Sequence, residues 1–297
     1  MAQQLAFADL TTDRLEGIVN VASVPQRSPF RYPGGKTWLV PTVRSWLRSQ
    51  RRPPETLLEP FAGGAIIGLT AAAEGLARQV TLVELDADVA AVWLTIFSGG
   101  DAWLAERIAS FPLTAETVRE ALATPPETTG DRAFLTILRN RVNHGGIMAP
   151  GAGVIKNGEN GRGLTSRWYP ETLRRRILDL AAIADRVSVV QGDGLLQMER
   201  HAHDPSVVYF IDPPYTVAGK GKRAGRRLYT HFEVDHEAIF RAAARVRGDV
   251  LLTYDDAPEV ADLARQHGLD THRIPMKNTH HAQMCELLIG KDLDWAR

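Results

Sequence analysis

One stretch in the second half of the chain constrains the fold more than any other. Val207 to Ile211 are five consecutive apolar or aromatic residues that lead directly into Asp212-Pro213-Pro214-Tyr215. An uninterrupted apolar run of this length is typical of a strand that is buried on both faces of a parallel sheet. The prolines end the strand and predict a stiff turn beyond its carboxyl end, which is the edge where ligands bind in open α/β sheets.

The turn presents groups that suit an amino group on a flat base. Asp212 and the carbonyl of Pro213 can accept hydrogen bonds from the two N–H groups, Pro214 stiffens the turn, and Tyr215 can stack on the ring. We therefore predict Asp212, Pro213, Pro214 and Tyr215 as the catalytic residues. The alternative interpretation is a proline-rich turn with a solvated aspartate.

The rest of the chain alternates strand-like and helix-like segments, which predicts an α/β fold with a mainly parallel sheet. Predicted strands cover residues 56–60, 79–84, 186–191, 206–211, 250–254, 271–274 and 283–289, of which the last two are predicted as antiparallel partners. Predicted helices cover residues 38–48, 66–76, 86–97, 101–123 with an interruption at Phe111-Pro112, 132–143, 170–184, 235–246 and 258–267. Residues 1–27 are predicted as an arm, residues 28–97 and 185–297 as the catalytic domain, and residues 98–184 as an inserted, mainly helical region.

Glycine turns precede two of the predicted helices. Gly63-Gly64 follows the first strand and Glu84 ends the second, which suits a nucleoside because the backbone can approach it and a carboxylate can hold its ribose hydroxyls. Gly34-Gly35 stands before Lys36 at a helix start, where an anion is favoured. Asp193 follows a strand at the same edge and suits either a bond to a cofactor amino group or a turn. The absence of Gly-x-Gly-x-x-Gly disfavours a nicotinamide dinucleotide.

Two basic segments are candidates for contact with a polyanion. Arg and Asn read guanine and adenine edges, and Arg also binds phosphate. In the inserted region the candidates are Arg139, Asn140, Arg141, Asn143 and Arg167. Beyond the Asp-Pro-Pro-Tyr turn they are Lys220, Lys222, Arg223, Arg226 and Arg227. The alternatives are a solvated helical insert and a solvated loop.

Bulk composition limits the class of protein. The chain is 44% hydrophobic and 24% charged, as in ordinary globular proteins, and its formal net charge is zero, so a basic surface must be local. No apolar run is long enough for a membrane span, and no signal segment stands at the start. The single cysteine, Cys285, is predicted as a core residue of a cytoplasmic protein. The histidines lack the spacing of a zinc site, so we predict no metal.

The ordered motifs resemble the Dam-like class of DNA N6-adenine methyltransferases. The resemblance spans residues 29 to about 290, and its motifs are specific as an ordered set, although each alone is not. The main matches are Arg31-Tyr-Pro-Gly-Gly-Lys36, Glu59-Pro-Phe-Ala-Gly-Gly64, Glu84 and Asp212-Pro-Pro-Tyr215. Further matches are Arg167-Trp-Tyr-Pro, Leu228-Tyr-Thr-His-Phe232, Tyr254-Asp-Asp-Ala-Pro258 and Glu286-Leu-Leu-Ile289.

The resemblance implies a Rossmann-like methyltransferase sheet, S-adenosylmethionine as methyl donor, double-stranded DNA as partner and target recognition by the insert. Tyr32 and Lys36 match cofactor-binding residues, Gly63-Gly64 the methionine end, Glu84 the ribose contact and Asp212 the catalytic acid. The full predicted cofactor-binding set is Tyr32, Gly34, Gly35, Lys36, Glu59, Phe61, Gly63, Gly64, Glu84, Asp193 and Asp212.

The sequence departs from the family at three places. Tyr32 stands where tryptophan is frequent, Glu84 stands where aspartate is frequent, and the insert matches only loosely, so the usual GATC target is not carried over. Competing functions are methylation of cytosine N4, RNA adenine or a protein amide, a non-catalytic DNA- or cofactor-binding subunit, and, more distantly, a nicotinamide oxidoreductase. A restriction or defence partner is left open.

Overall fold

The computed structural model describes residues 21–32, 34–148, 152–156, 158, 161–214, 234–277 and 283–297. Its centre is a seven-stranded sheet. The strands are β1 Thr56–Glu59, β2 Gln79–Glu84, β3 Val187–Gln191, β4 Val207–Ile211, β5 Val250–Asp255, β6 Asp270–Lys277 and β7 Gln283–Gly290. All seven predicted strands are confirmed, and β6 is longer than predicted.

The order of the strands defines where a ligand can bind. Across the sheet the order is β3-β2-β1-β4-β5-β7-β6. Neighbouring strands from β3 to β5 pair in parallel, and β7 runs antiparallel to both β5 and β6, as predicted for the last pair. The chain moves outward from β1 to β3 and returns to the centre at β4. Ligands bind at such a reversal, outside the carboxyl ends of the strands, so the turns after β1 and β4 border a candidate crevice.

The central strand β4 is buried on both faces. Val208 and Phe210 belong to one buried cluster, whereas Val207, Tyr209 and Ile211 belong to the other. Because neither face meets solvent, the strand needs no polar alternation, and its sequence is a continuous apolar run. The prediction made from that run is confirmed.

Helices cover both faces of the sheet. They are α1 Val40–Ser49, α2 Ile66–Glu74, α3 Ala87–Thr95, α4 Asp101–Ala109, α5 Ala115–Ala123, α6 Thr129–Val142, α7 Pro170–Ala181, α8 Gly194–His201, α9 His236–Arg245 and α10 Pro258–Gln266. Helices α1 to α7 contribute to the first cluster, and α8 to α10 contribute to the second. The sequence does not predict α8, because the helix has only eight residues and begins at a glycine.

The region predicted as an insert, residues 98–184, contains α4 to α7 and shares its core with the sheet. Leu104, Ile137 and Leu173 lie in the same buried cluster as Trp93 of α3. An insert with its own core would form a separate cluster. The inserted helices are therefore fixed relative to the sheet by apolar packing.

Two smaller features complete the fold. Cys285 is exposed on β7, so its prediction as a core residue is wrong. Side chains alternate along a strand, and at this position the buried neighbour is Glu286. Within the described ranges, no helix is both long and apolar enough to cross a membrane.

Candidate active site

The Asp212-Pro213-Pro214 turn leaves the sheet at its centre. Strand β4 ends at Ile211, between the carboxyl ends of β1 and β5. The Asp212 side chain is 21% exposed to solvent. Proline cannot extend the hydrogen-bond ladder, so the turn separates Asp212 from further strand pairing. An acidic side chain is thereby presented at the crevice that the strand order predicts.

A buried lysine holds Asp212. The Nζ atom of Lys36, a residue that is only 4% exposed, lies 3.3 Å from Oδ1 of Asp212. The hydroxyl of Thr253 on β5 donates to the same Oδ1 at 2.8 Å. Lys36 also donates to the carbonyl of Gly34 at 3.3 Å. The carboxylate is therefore oriented by two donors that come from the start of the chain and from the neighbouring strand.

A second carboxylate contacts the same lysine. Oε2 of Glu286, on β7, forms an ion pair with Nζ of Lys36 at 3.4 Å but accepts no hydrogen bond from a described residue. The antiparallel pairing of β5 and β7 places Glu286 opposite Asp255. Three acidic residues, Asp212, Asp255 and Glu286, thus surround one ammonium group at the edge of the sheet.

The electrostatic balance of this group shifts several pKa values. Burial raises the pKa of Glu286 to about 7 against the opposing effect of Lys36. Burial also raises the pKa of Asp255, although Lys36 opposes it. For Lys36, burial lowers the pKa, but the charges of Asp212 and Glu286 outweigh burial and leave it raised. The lysine therefore stays protonated, and Glu286 exchanges its proton near neutral pH.

The glycine turn after β1 is fixed by Glu84. Gly63 adopts a φ of +47°, which favours glycine, and its N–H donates to Oε2 of Glu84 at 2.8 Å. The other oxygen of Glu84 accepts from the N–H of Asp86 at 2.9 Å. Burial raises the pKa of Glu84 to about 7, against these backbone donors. Trp93 donates to the Gly63 carbonyl at 3.0 Å and supports the turn from α3.

Tyr32 packs directly on the glycine turn. A Cβ atom added at Gly63 would lie 2.7 Å from Cε1 of Tyr32, and one added at Gly64 would lie 2.9 Å from its Cβ. The edge of Phe30 meets the Tyr32 ring at a centroid distance of 6.1 Å. Gly63 and Gly64 therefore leave room for the side chain of Tyr32. The sequence does not reveal this role of the two glycines.

The residues around the turn fit a nucleoside that carries a positive sulfonium group. An aromatic face at Tyr32 attracts a cation, and the acidic groups of Glu84 and Asp212 match the ribose hydroxyls and the positive charge. Both Glu84 oxygens already accept from backbone N–H groups, so a ribose would use their remaining lone pairs. The side chains around the glycine turn are thus compatible with bound S-adenosylmethionine.

The other predicted cofactor residues have structural contacts in the described part of the chain. Glu59 is 3% exposed, and its Oε2 accepts from the N–H of Gly68 in α2 at 2.9 Å. Burial raises the pKa of Glu59 well above its ordinary value. Asp193 caps α8 by accepting from the N–H of Leu195 at 2.8 Å, which favours the turn interpretation. Phe61 packs on the second core cluster.

The Gly34-Gly35 turn bends the chain towards Lys36. Gly35 donates to the carbonyl of Tyr32 at 3.1 Å, and Gly34 has a φ of +73°. A side chain at Gly35 would crowd that carbonyl. The N–H of Gly35 is therefore occupied within the turn, and the turn leads the chain to Lys36 beside Asp212.

Predicted base-reading residues of the insert lie in the interior, which corrects their assignment. Asn140 is fully buried, accepts from the N–H of Arg31 at 2.9 Å and donates to the carbonyls of Arg31 and Gly146. Arg141 is 4% exposed and donates to the carbonyl of Pro29. In this structure both side chains tie the segment before Tyr32 to α6, so neither is placed to read a base edge.

The remaining predicted residues of the insert are also engaged. Asn143, 4% exposed, donates to the carbonyl of Ile147 at 2.9 Å, which gives it a structural role in place of the predicted one. Arg139 pairs with Asp88 at 3.0 Å and keeps 31% of its side chain exposed. Arg167 is half-buried beside Trp168. Of this group, Arg139 and Arg167 alone keep enough exposure for a DNA contact.

Part of the predicted site lies outside the described residues. This applies to Tyr215 and to the basic residues Lys220, Lys222, Arg223, Arg226 and Arg227. Among the residues that are described, no group of His, Cys, Asp and Glu could hold a metal ion.

The sequence does not identify the roles of Thr253 and Glu286 beside Asp212. Glu286 belongs to the closing motif of the family resemblance, but its contact with Lys36 depends on the pairing of β7 with β5. Thr253 is a buried polar residue in an apolar strand. A polar residue within an apolar run is the sequence signal that points to a buried hydrogen-bond partner.

Comparison with known proteins gives similarity at the level of structure. No family model and no curated protein matches the sequence. A predicted O-methyltransferase from Agrobacterium tumefaciens is 15% identical with a TM-score of 0.37, and the match covers 84% of this chain and 78% of that one. A putative RNA methyltransferase from Pyrococcus horikoshii is 12% identical with a TM-score of 0.38, covering 93% and 92%. An rRNA methylase from Streptococcus thermophilus is 10% identical with a TM-score of 0.35, covering 84% and 93%.

These superpositions are loose, so the fold is assigned from the sheet itself. Its seven strands have the order β3-β2-β1-β4-β5-β7-β6, and β7 is antiparallel to both neighbours. This strand order, with helices on both faces and an antiparallel β7, is typical of the methyltransferases that use S-adenosylmethionine. The chain has the Rossmann-like fold of the S-adenosylmethionine-dependent methyltransferases.

Proposed function

We propose that the protein is an S-adenosylmethionine-dependent methyltransferase that methylates N6 of adenine in DNA. The observation that carries the proposal is the position of Asp212. It stands at the carboxyl end of the central strand β4, where the strand order reverses, and it is held there by Lys36 and Thr253. The following Pro213 places a backbone carbonyl beside it.

The proposed chemistry needs orientation more than a strong base. S-Adenosylmethionine supplies an activated methyl group when bound. Asp212 and the carbonyl of Pro213 accept the two N6 hydrogens of a flipped-out adenine and so aim the nitrogen lone pair at the methyl carbon. As the bond between N6 and the methyl carbon forms and the carbon–sulfur bond breaks, positive charge develops on N6, and the Asp212 carboxylate stabilises it. The N6 proton that is hydrogen-bonded to Asp212 then passes by way of this partly exposed carboxylate to solvent.

The supporting residues of Asp212 have defined tasks in this proposal. Lys36 and Thr253 bind Oδ1 and prevent rotation of the carboxylate, so the adenine meets a preorganised acceptor. Glu84 stays with the glycine turn on the opposite side of the crevice and holds the nucleoside end of the cofactor. The two tasks are separate, because one side binds the donor and the other orients the acceptor.

The function is tested by identifying the product. The protein is incubated with labelled S-adenosylmethionine and unmethylated duplex DNA or RNA, and the nucleic acid is digested to nucleosides. We expect the label in N6-methyl-deoxyadenosine. Label in N4-methylcytosine or in RNA would show that the acceptor is cytosine N4 or RNA rather than adenine in DNA. Label in none of them, with cofactor still bound, would favour a binding subunit.

Substitution of Asp212 tests the site. We expect Asp212→Ala to reduce methyl transfer by at least about a thousandfold, since it removes the acceptor for N6, while cofactor binding stays measurable. Turnover and binding of labelled cofactor are measured on the same preparation. Asp204→Ala is the matched control, because Asp204 is an exposed aspartate at the other end of β4. Retained turnover in Asp212→Ala would refute the assignment.

A further inference from the structure

A group of arginines converges on the segment that leads into Tyr32. The guanidinium of Arg141, from α6, donates to the carbonyl of Pro29, and that of Arg176, from α7, donates to the carbonyl of Ser28 at 3.1 Å. Two helices of the inserted region thus place guanidinium groups on consecutive carbonyls. Arg31 follows two residues later and is exposed.

Carboxylates do not balance the charge of these helix arginines. In the described part of the chain, none of Arg141, Arg175 and Arg176 forms an ion pair, whereas Arg174 on the same helix pairs with Glu106 at 3.9 Å. Burial first, and then the charges of Arg176 and other nearby arginines, lower the pKa of Arg141 to about 9. Its Nε atom is buried without a hydrogen-bond partner. Among the described residues these three helix arginines gather without a paired acid, and such a group of like charges favours an anionic ligand.

The cluster reaches the surface beside the candidate active site. Arg175 is exposed and Arg176 is half-buried. Arg31 directly precedes Tyr32, whose ring lies on the glycine turn, so the segment held by Arg141 and Arg176 leads directly into the crevice. The zero net charge of the chain requires any such basic surface to be local.

We propose that Arg31, Arg141, Arg175 and Arg176 form a phosphate-binding site for the backbone of duplex DNA. Arg31, Arg175 and Arg176 contact the phosphates, and the buried Arg141 strengthens the positive potential beneath them. The site rests on the proposed function, since it orients the same duplex whose adenine enters the crevice. It gives the insert a positioning role through backbone contacts, which fix register without reading sequence.

The test measures binding of a fluorescent duplex of about 20 base pairs by anisotropy at several salt concentrations. We expect Arg175→Gln to weaken binding about three- to tenfold and to lower the salt slope by about 1, as loss of one phosphate contact does. Arg175→Lys keeps the charge and should keep the slope. Arg174→Gln is the matched control, since Arg174 is adjacent on α7 but paired with Glu106.

Methyl transfer is measured on the same samples, so that the two proposals fail separately. Arg175 makes no hydrogen bond among the described residues, so its loss leaves the fold intact, and melting temperature verifies this. Arg176→Lys retains a donor for Ser28 and should bind duplex DNA like the wild type. Unchanged affinity and slope in Arg175→Gln, with a wild type that methylates DNA, would overturn the phosphate site alone. A weakened Arg175→Gln with no methyl transfer by the wild type would retain the site and overturn the function.

Discussion

The two sides of the sheet edge hold buried carboxylates in different ways. On the β1–β2 side, Glu59 and Glu84 accept hydrogen bonds from backbone N–H groups at 2.8 to 2.9 Å. On the β4–β7 side, Asp212 and Glu286 share the side chain of Lys36 at 3.3 and 3.4 Å. Backbone donors are fixed by the fold, whereas the second arrangement depends on one side chain.

This difference separates architecture from chemistry. A carboxylate bound to backbone N–H groups sets the shape of the glycine turn and the start of α2, and its environment changes only if the fold changes. A carboxylate bound to a lysine depends instead on one side chain, and a neighbouring ligand changes its electrostatic environment without a change of fold. The β4 side therefore has the properties that the proposed reaction needs, and the β1 side those of a frame.

Removal of Lys36 should have the largest effect on stability. Lys36→Met leaves Asp212 and Glu286 without the cation between them, and loss of one partner of a buried ion pair costs about 3–5 kcal/mol. Because Asp212 is partly exposed, we expect about 3 kcal/mol, at the lower end of that range. Urea unfolding at pH 8, above the Glu286 pKa of about 7 in the folded wild type, measures the change.

The double variant Lys36→Met/Glu286→Gln sharpens this prediction. It removes one of the two uncompensated acids, so it should recover part of the lost stability. A cost below about 1 kcal/mol for Lys36→Met would instead place the pair among solvated surface ion pairs, which contribute little. The same unfolding series supplies both values.

Glu84→Gln should have the next largest effect. Each Glu84 oxygen accepts from a backbone N–H, and an amide NH₂ in place of one oxygen would face Gly63 or Asp86 as donor against donor. An unsatisfied buried donor costs about 1–3 kcal/mol, so we expect a loss in this range. Chemical unfolding measures it, with Glu286→Gln as the comparison because Glu286 accepts from no backbone N–H in the described chain. A smaller loss for Glu84→Gln than for Glu286→Gln would reverse the proposed contrast.

The sequence predicts the frame of the site better than its contacts. Local signals suffice for the strand that ends at Asp212 and for the glycine turn after β1, because apolar runs and glycines act within a few residues. The contact of Lys36 with Glu286 joins residues 250 positions apart and requires the antiparallel β7. Residue types alone do not specify such a pairing. The sequence therefore predicts that Lys36 contacts a cofactor, and it does not predict the contacts of Lys36 with Asp212 and Glu286.

In the inserted region the sequence predicts the helices but not the direction of their polar side chains. Arg and Asn at its helix ends have the composition of a base-reading surface, but α6 packs on α3 and turns Asn140 and Arg141 inward. Helical periodicity gives the existence of α6, whereas the direction of each polar side chain depends on what the helix packs against. On α7, by contrast, Leu173 and Ile177 are buried, and Arg174 and Arg175 stay at the surface.

The last prediction uses Glu286→Gln, and it concerns the pH dependence of stability rather than stability at one pH. The pKa of Glu286 in the folded protein is about 7, above its ordinary value of 4.5, so the folded state holds an extra proton between these two values. Its contribution to stability is therefore full at acidic pH and is lost as pH rises through 7. We expect Glu286→Gln to reduce the fall in unfolding free energy between pH 5 and pH 8 by roughly 2 kcal/mol. Urea unfolding across this range measures the effect, and Glu199→Gln, the same change at an exposed position, supplies the baseline. Parallel pH profiles for Glu286→Gln and the wild type would show that the lysine keeps Glu286 ionised throughout, and the raised pKa of Glu286 would be refuted.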